Sequence, residues 1–259
     1  MPEIQVNGRR VGYEVRPVEF HKADLSVVFI HGSGGDREDW RPQLENLSDA
    51  ATLIAVELPG HGTSEAHGET SVPAFSRCVM DFVAALGLEK VVLAGCSLGS
   101  AITQWIALFA APPWLKGIVL VGAGARLRVH PDFLEGLIAD EDTARRLLAS
   151  FCLSGTPDAA LLGKLEEKYM RTPAELIHGD LSACNEFDVM DRIGEIRLPT
   201  LIVVGEDDKL TPVKYSTHLN NAIHGSRMAV LPRAGHLVMM EQPEQFNAVL
   251  RSFLDSLER

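Results

Sequence analysis

Ala94-Gly95-Cys96-Ser97-Leu98-Gly99 is the stretch on which the reading of the whole chain turns. An apolar run over 91–94 leads into it, and Ile102, Trp105, Ile106 and Phe109 follow it at helical spacing. A Gly-x-Ser-x-Gly frame between a strand and a helix marks a sharp reversal that leaves the serine hydroxyl exposed at the bend. Side chains at the two glycine positions would collide with neighbouring backbone in so tight a turn. The pentapeptide consists of common residues, so its weight depends on what surrounds it.

Working outward, Ile4 and Val6 alternate with polar residues, Asn7-Gly8 offers a tight turn, and Val11, Tyr13 and Val15 resume the alternation. This pattern predicts an antiparallel hairpin at a sheet edge. Short, fully apolar runs follow at 27–30, 53–56, 91–94, 118–121, 201–204 and 228–231. Continuous apolarity implies that both faces are covered, as in a parallel sheet between helices. Between the runs lie helical patterns. Phe75, Val79, Phe82, Val83 and Leu86 form one, closed by Gly87. The pattern after Ser97 is expected to stop at Pro112-Pro113. Phe246, Leu250, Phe253, Leu254 and Leu257 form the last. Strands alternating with helices predict a doubly wound α/β fold.

The alternation breaks over 126–197, where helical signals recur without a buried-strand run. Thr172-Pro173-Ala174-Glu175 has capping-box form, with Pro at the first helical position. The expected organisation is a core from 1–125 and 198–259, interrupted by a helical insertion at 126–197.

The net charge is −11 and no basic stripe is present, which argues against nucleic acid or an anionic membrane as partner. No secretory signal and no membrane-length apolar segment is evident. Cys78, Cys96, Cys152 and Cys184 form no Cys-x-x-Cys pair, so reduced thiols in a cytoplasmic protein are expected. The oligomeric state stays open between monomer and homodimer.

Four stretches stand at the carboxyl ends of predicted strands, where open α/β sheets place their ligands. They are His31-Gly32-Ser33-Gly34-Gly35, the Ser97 turn, the run from Gly205 to Pro212, and Gly235-His236. A serine nucleophile needs a base, and histidine serves near neutral pH. The histidine in turn needs a carboxylate to fix its tautomer. His236 and one of Glu206, Asp207 and Asp208 complete the set in the order Ser, acid, His. The residue types alone do not choose among the three acids. Leu98, at the start of the helix after the serine, carries an N–H that points outward and suits a developing oxyanion.

Taken together, these motifs resemble those of the α/β-hydrolase superfamily over essentially the whole chain. The His31-Gly32-Ser33-Gly34-Gly35 stretch resembles its oxyanion loop, and Pro59-Gly60-His61-Gly62-Thr63-Ser64 resembles its Pro-Gly-His-Gly-x-Ser turn. Gly95 to Gly99 resembles the nucleophile elbow, Gly205 to Pro212 the acid loop, and Ala234-Gly235-His236 the histidine loop. The resemblance implies an eight-stranded, mostly parallel sheet with a helical cap. It implies Ser97, Asp208 and His236 as catalytic residues, with oxyanion donors at Leu98 and Ser33 and Gly34 as the fallback for the second. It implies no metal and no cofactor. The Ser33 hydroxyl is expected in a local turn hydrogen bond. His31 and His61 are expected to serve loop structure, and His61 with His67 lacks a third metal ligand at sensible spacing. Cys96 is expected as a buried apolar residue.

The reaction implied is hydrolysis of a small-molecule carboxylic ester through an acyl-enzyme. An enol-lactonase, a thioesterase and a carbon–carbon hydrolase of aromatic degradation share the same residues. A non-hydrolytic small-molecule receptor is the alternative of another class. A buried Arg126 or Arg128 beside Ser97 would favour an anionic substrate, and an apolar cavity would favour acyl esters.

Overall fold

A computed structural model describes residues 2–65 and 67–257. The strands are β1 (Glu3–Val6), β2 (Arg9–Arg16), β3 (Leu25–Ile30), β4 (Thr52–Val56), β5 (Lys90–Cys96), β6 (Leu115–Val121), β7 (Thr200–Gly205) and β8 (Arg227–Leu231). They form one eight-stranded sheet in the order β1-β2-β4-β3-β5-β6-β7-β8. The pairings β1 with β2 and β2 with β4 are antiparallel, and the rest are parallel. The expected hairpin and all six apolar runs are therefore strands of this sheet.

Alternation within the runs divides the core into two. Val28, Ile30, Ile54, Val56 and Leu93 pack on one side of the sheet. Val27, Phe29, Leu53, Ala55, Val92 and Ala94 pack on the other. The helices α1 (Arg41–Asn46), α2 (Val72–Leu86), α3 (Leu98–Trp105), α8 (Val213–Ala222), α9 (Val238–Glu241) and α10 (Pro243–Leu257) cover these faces, while α4 (Pro131–Ala139), α5 (Glu141–Phe151), α6 (Ala159–Arg171) and α7 (Ala174–Glu186) fill the stretch between β6 and β7. Helix α2 buries Phe75, Val79, Phe82, Val83 and Leu86, and ends at Gly87 with φ +67°. Over 126–197, whose residues are all described, the only extended pairing is one bridge between Arg126 and Asp188.

Three local expectations are corrected. Strand β8 is the sheet edge and is not covered on both faces: Val230 is 43% exposed. The pattern after Ser97 does not run to the prolines. It widens into a π-turn over Ile106–Ala110 and stops at Ala111, whose φ is +39°. Helix α7 begins at Ala174 with Pro173 as its cap residue, and the Thr172 hydroxyl donates to Lys168 O at 3.1 Å. Threonine after a helix finds the last carbonyls of that helix closer than the first N–H groups of the next.

Chain order reverses direction in the sheet between β3 and β5, which makes a crevice at their carboxyl ends. Ile30 and Gly95 are paired across it. A Cβ at Gly95 would lie 2.0 Å from Gly99 O, and one at Gly99 would lie 2.3 Å from Ile30 O. Backbone therefore packs on backbone at the start of α3. Gly95→Ala is expected to lower the unfolding free energy by about 3 kcal/mol in a urea titration. A loss below about 1 kcal/mol would contradict so close an approach.

Candidate active site

Ser97 joins β5 to α3 with φ +53° and ψ −113°, outside the regions that L-residues favour. Four hydrogen bonds impose this geometry: Ser97 N–H donates to Val121 O at 3.0 Å, and Ser97 O accepts from Ser100 N–H at 2.9 Å, the Ser100 hydroxyl at 2.6 Å and Ala101 N–H at 3.1 Å. Leu98 is the first residue of α3, so its N–H has no acceptor within the helix. The loop after β3 approaches closely, since a Cβ at Gly32 would lie 3.2 Å from Ser97 Cβ.

Asp208, not Glu206 or Asp207, meets His236. Its Oδ2 accepts from His236 Nδ1 at 2.9 Å and from the Thr211 hydroxyl at 2.8 Å. Its Oδ1 accepts the N–H groups of Leu210 at 2.9 Å and Thr211 at 2.8 Å. Burial opposes the Asp208 charge, but His236 and the Thr211 donors outweigh it and hold the carboxyl below its ordinary 3.8. With Nδ1 bound to the carboxylate, His236 keeps Nε2 for other work. The Glu241 carboxylate accepts from Gly235 N–H at 2.6 Å and Ser154 N–H at 2.9 Å, tying the histidine loop to the end of α5.

Ser97 and His236 line one cavity of about 40 Å³, together with Gly32, Ser33, Cys152 and Tyr169. Ser97 also stands at the floor of a wider cavity of about 660 Å³, walled by Leu127, Phe133, Leu148, Phe151, Leu181 and Leu210. Arg126 and Arg128 do not enter as buried cations. Arg126 is half-exposed and pairs with Asp188 at 3.6 Å, while Arg128 is exposed and donates to Asn185 O at 2.9 Å.

The 31–36 loop is held by polar contacts, several of them from α6 and α7. His31 Nε2 accepts from Leu58 N–H at 3.1 Å, so its proton sits on Nδ1, which donates to Gly32 O at 2.8 Å. Burial and nearby His61 push His31 down to about 3. The Tyr169 hydroxyl donates to Ser33 O at 3.0 Å. Gly34 N–H donates to Asp180 Oδ2 at 2.8 Å, so Gly34 is not the oxyanion donor in reserve. Lys168 binds Asp36 at 3.0 Å and also Asp39. The Ser33 hydroxyl makes no local turn bond. It lies 3.7 Å from the buried Cys184 Sγ of α7. Cys96 is fully buried, and burial raises its thiol well above the ordinary range.

His61 faces acceptors on both sides, Pro59 O at 3.1 Å and Asp180 Oδ2 at 2.9 Å. An imidazole that donates from both nitrogens is charged. Burial opposes this, but the Asp180 carboxylate outweighs it and lifts His61 above its ordinary 6.5. Thr63 closes the same turn, donating its N–H and hydroxyl to Glu57 at 2.7 and 2.9 Å.

A family model described as alpha/beta hydrolase fold matches residues 26–243. The chain belongs to this family. Among solved structures of alpha/beta hydrolases and their relatives, a thermophilic esterase is 33% identical, with a TM-score of 0.86 over 99% of this chain and 97% of that one. The enol-lactonase from Burkholderia xenovorans superposes with a TM-score of 0.90 over 98% of this chain and 100% of that one, at 21% identity, a likeness of fold. Among curated proteins, 3-oxoadipate enol-lactonase 1 of Acinetobacter baylyi is 25% identical over 244 residues, which is 90% of each chain. Among the described residues of this hydrolase-fold chain, no helix is long and apolar enough to cross a membrane.

The sequence assigns no site role to Thr211, Glu241, Tyr169 or Asp180, and Tyr169 figures there only as a helix-spaced position with Leu161, Leu162 and Leu165. Thr211 lies within the quoted acid loop, three residues after Asp208, a spacing at which a hydroxyl can cap a carboxylate. Tyr169 and Asp180 meet their partners only through tertiary folding, and so does Glu241 for Ser154, although Gly235 is only six residues from it.

The His61 pair carries a pH signature. A folded value above the unfolded one means that the stabilisation is complete below pH 6.5 and fades as pH rises through the raised value. The unfolding free energy of the natural chain minus that of His61→Gln should therefore shrink as pH rises above 6.5 and through the raised value. A constant difference would show that His61 is not charged in the folded state.

Proposed function

We propose that this protein is a serine hydrolase of carboxylic esters, with Ser97 as nucleophile, His236 as general base and acid, and Asp208 as the carboxylate that orients it. The observation that carries this reading is the buried Asp208–His236 hydrogen bond of 2.9 Å opening into the same cavity as a serine with φ +53°. Family membership and the esterase and enol-lactonase names of its relatives support hydrolysis as the reaction class.

In this reading Ser97 Oγ adds to the ester carbonyl while its proton moves to His236 Nε2. The imidazolium is stabilised by Asp208, whose charge is secured by three further donors. The carbonyl electron pair moves onto oxygen, which the N–H groups of Leu98 and Ser33 receive. The pair returns, the alcohol leaves, and His236 gives it the proton. Water then repeats the sequence on the acyl-enzyme and releases the acid.

Residues 126–197 act as the cap, supplying most of the cavity wall through Leu127, Phe133, Leu148, Phe151 and Leu181. The wall is mainly apolar, and the cations that also line it, Arg128 and Lys209, are exposed rather than buried, which favours an apolar acyl ester over an anionic lactone.

Two measurements test this. Ser97→Ala and His236→Ala should each lower kcat on p-nitrophenyl butyrate by about 10⁴-fold or more, and Ser97→Ala should abolish labelling by a fluorophosphonate. Labelling that survives Ser97→Ala would refute the nucleophile. Across p-nitrophenyl acetate, butyrate and hexanoate, kcat/KM should rise by roughly fourfold per methylene, from about 0.8 kcal/mol of burial for each. No turnover of any ester in the series would refute the substrate class.

A further inference from the structure

The Ser33–Gly34 peptide is held at both ends by the helical segment. Its carbonyl accepts from the Tyr169 hydroxyl of α6 at 3.0 Å, and its N–H donates to Asp180 Oδ2 of α7 at 2.8 Å. The two groups of a trans peptide point in opposite directions, so two such contacts fix its plane. The preceding peptide, Gly32–Ser33, carries the N–H assigned above to the oxyanion. Its carbonyl is held on the other side by His31 Nδ1–H at 2.8 Å and Gly35 N–H at 3.1 Å. Core residues therefore hold one peptide, and α6 and α7 hold the next.

We propose that Tyr169 and Asp180 are positioning residues that set the oxyanion hole by gripping the Ser33–Gly34 peptide from both ends. This rests on the serine-hydrolase reading above. Neither side chain need touch the reacting atoms. Each acts through the loop, and a donor displaced by about 1 Å forfeits up to a hundredfold in rate.

Asp180 looks costly if its task is stability alone. It is fully buried, and its Oδ1 has no hydrogen-bond partner among the described residues. A buried carboxylate with an unsatisfied oxygen is a poor stabiliser, and a hydrophobic contact between helix and loop would serve as well. What the carboxylate supplies is one oxygen able to accept from two donors at once, Gly34 N–H and His61 Nε2. Asparagine cannot hold this arrangement with a neutral histidine. If its oxygen faces both groups, His61 must carry its proton on Nε2 and turn a bare Nδ1 toward Pro59 O. If its amide nitrogen faces them, it opposes Gly34 N–H.

The test compares Tyr169→Phe and Asp180→Asn with the natural chain. The readouts are kcat and KM for p-nitrophenyl butyrate and the inhibition constant of an alkyl trifluoromethyl ketone. Ser97 Oγ adds to that ketone and passes its proton to His236, and the resulting oxyanion occupies the same hole. Tyr169→Phe should lower kcat about tenfold and Asp180→Asn about a hundredfold, with KM changed by less than about threefold. The ketone should bind more weakly by the factor lost in kcat/KM, which a merely structural role would not require. Wild-type kcat in both variants, or a loss of kcat with ketone affinity unchanged, would overturn the proposal. Tyr169→Phe removes one buried hydroxyl and keeps the ring, so it decides the matter if Asp180→Asn fails to fold. Activity surviving Ser97→Ala would instead overturn the serine-hydrolase reading itself.

Discussion

Backbone pressed against backbone at the carboxyl end of β5 is the constraint from which the site follows. Gly99 abuts the Ile30 carbonyl and Gly95 abuts the Gly99 carbonyl, with no room for a methyl group at either. That approach brings α3 down onto the end of β3 and leaves Ser97 as the one residue at the bend, with φ at +53°. A residue held in such a conformation persists only where its surroundings over-determine it. Here they do, through the β6 carbonyl that takes its N–H and the Ser100 groups that take its carbonyl.

Around this fixed point the other groups arrive from separate strands. The acid loop follows β7, and the histidine loop follows β8 at the sheet edge. Asp208 is secured within its own loop, whereas the histidine loop is held from outside. Thr211 caps the carboxylate, and Glu241 holds the backbone of the histidine loop against the end of α5. Burial and pairing act in opposite senses on two neighbouring rings: Asp180 favours the protonated form of His61 against burial, while burial and His61 disfavour protonation of His31, ring to ring with it at 4.8 Å.

Much of this was legible in the sequence, for reasons that are local. Strands buried on both faces read as apolar runs, and turns with steric demands read as glycines at fixed spacing. The edge strand β8 misled because an apolar run does not report whether a neighbour lies beyond it. Thr172 misled because a capping pattern says nothing of the helix that ends just before it. Tyr169 and Asp180 carried no signal of a site role. Their partners lie 136 and 146 residues away, and a tyrosine at apolar helical spacing with Leu161, Leu162 and Leu165 reads as packing, while a lone aspartate reads as an ordinary polar position. The acid was ambiguous on chemistry among three neighbours. The backbone of the loop distinguishes them by turning only Asp208 inward.

Helix α7 carries two duties on one face. Asp180 holds the 31–36 loop, and one turn on Cys184 meets Ser33 while lining the wide cavity with Leu181. The helix cannot rotate or slide to reshape the cavity without letting go of the loop. Changes in what the cavity accepts are therefore confined to side-chain size at positions such as Leu181. Helix register is tied to the loop, and only the substituents on the helix are free to drift.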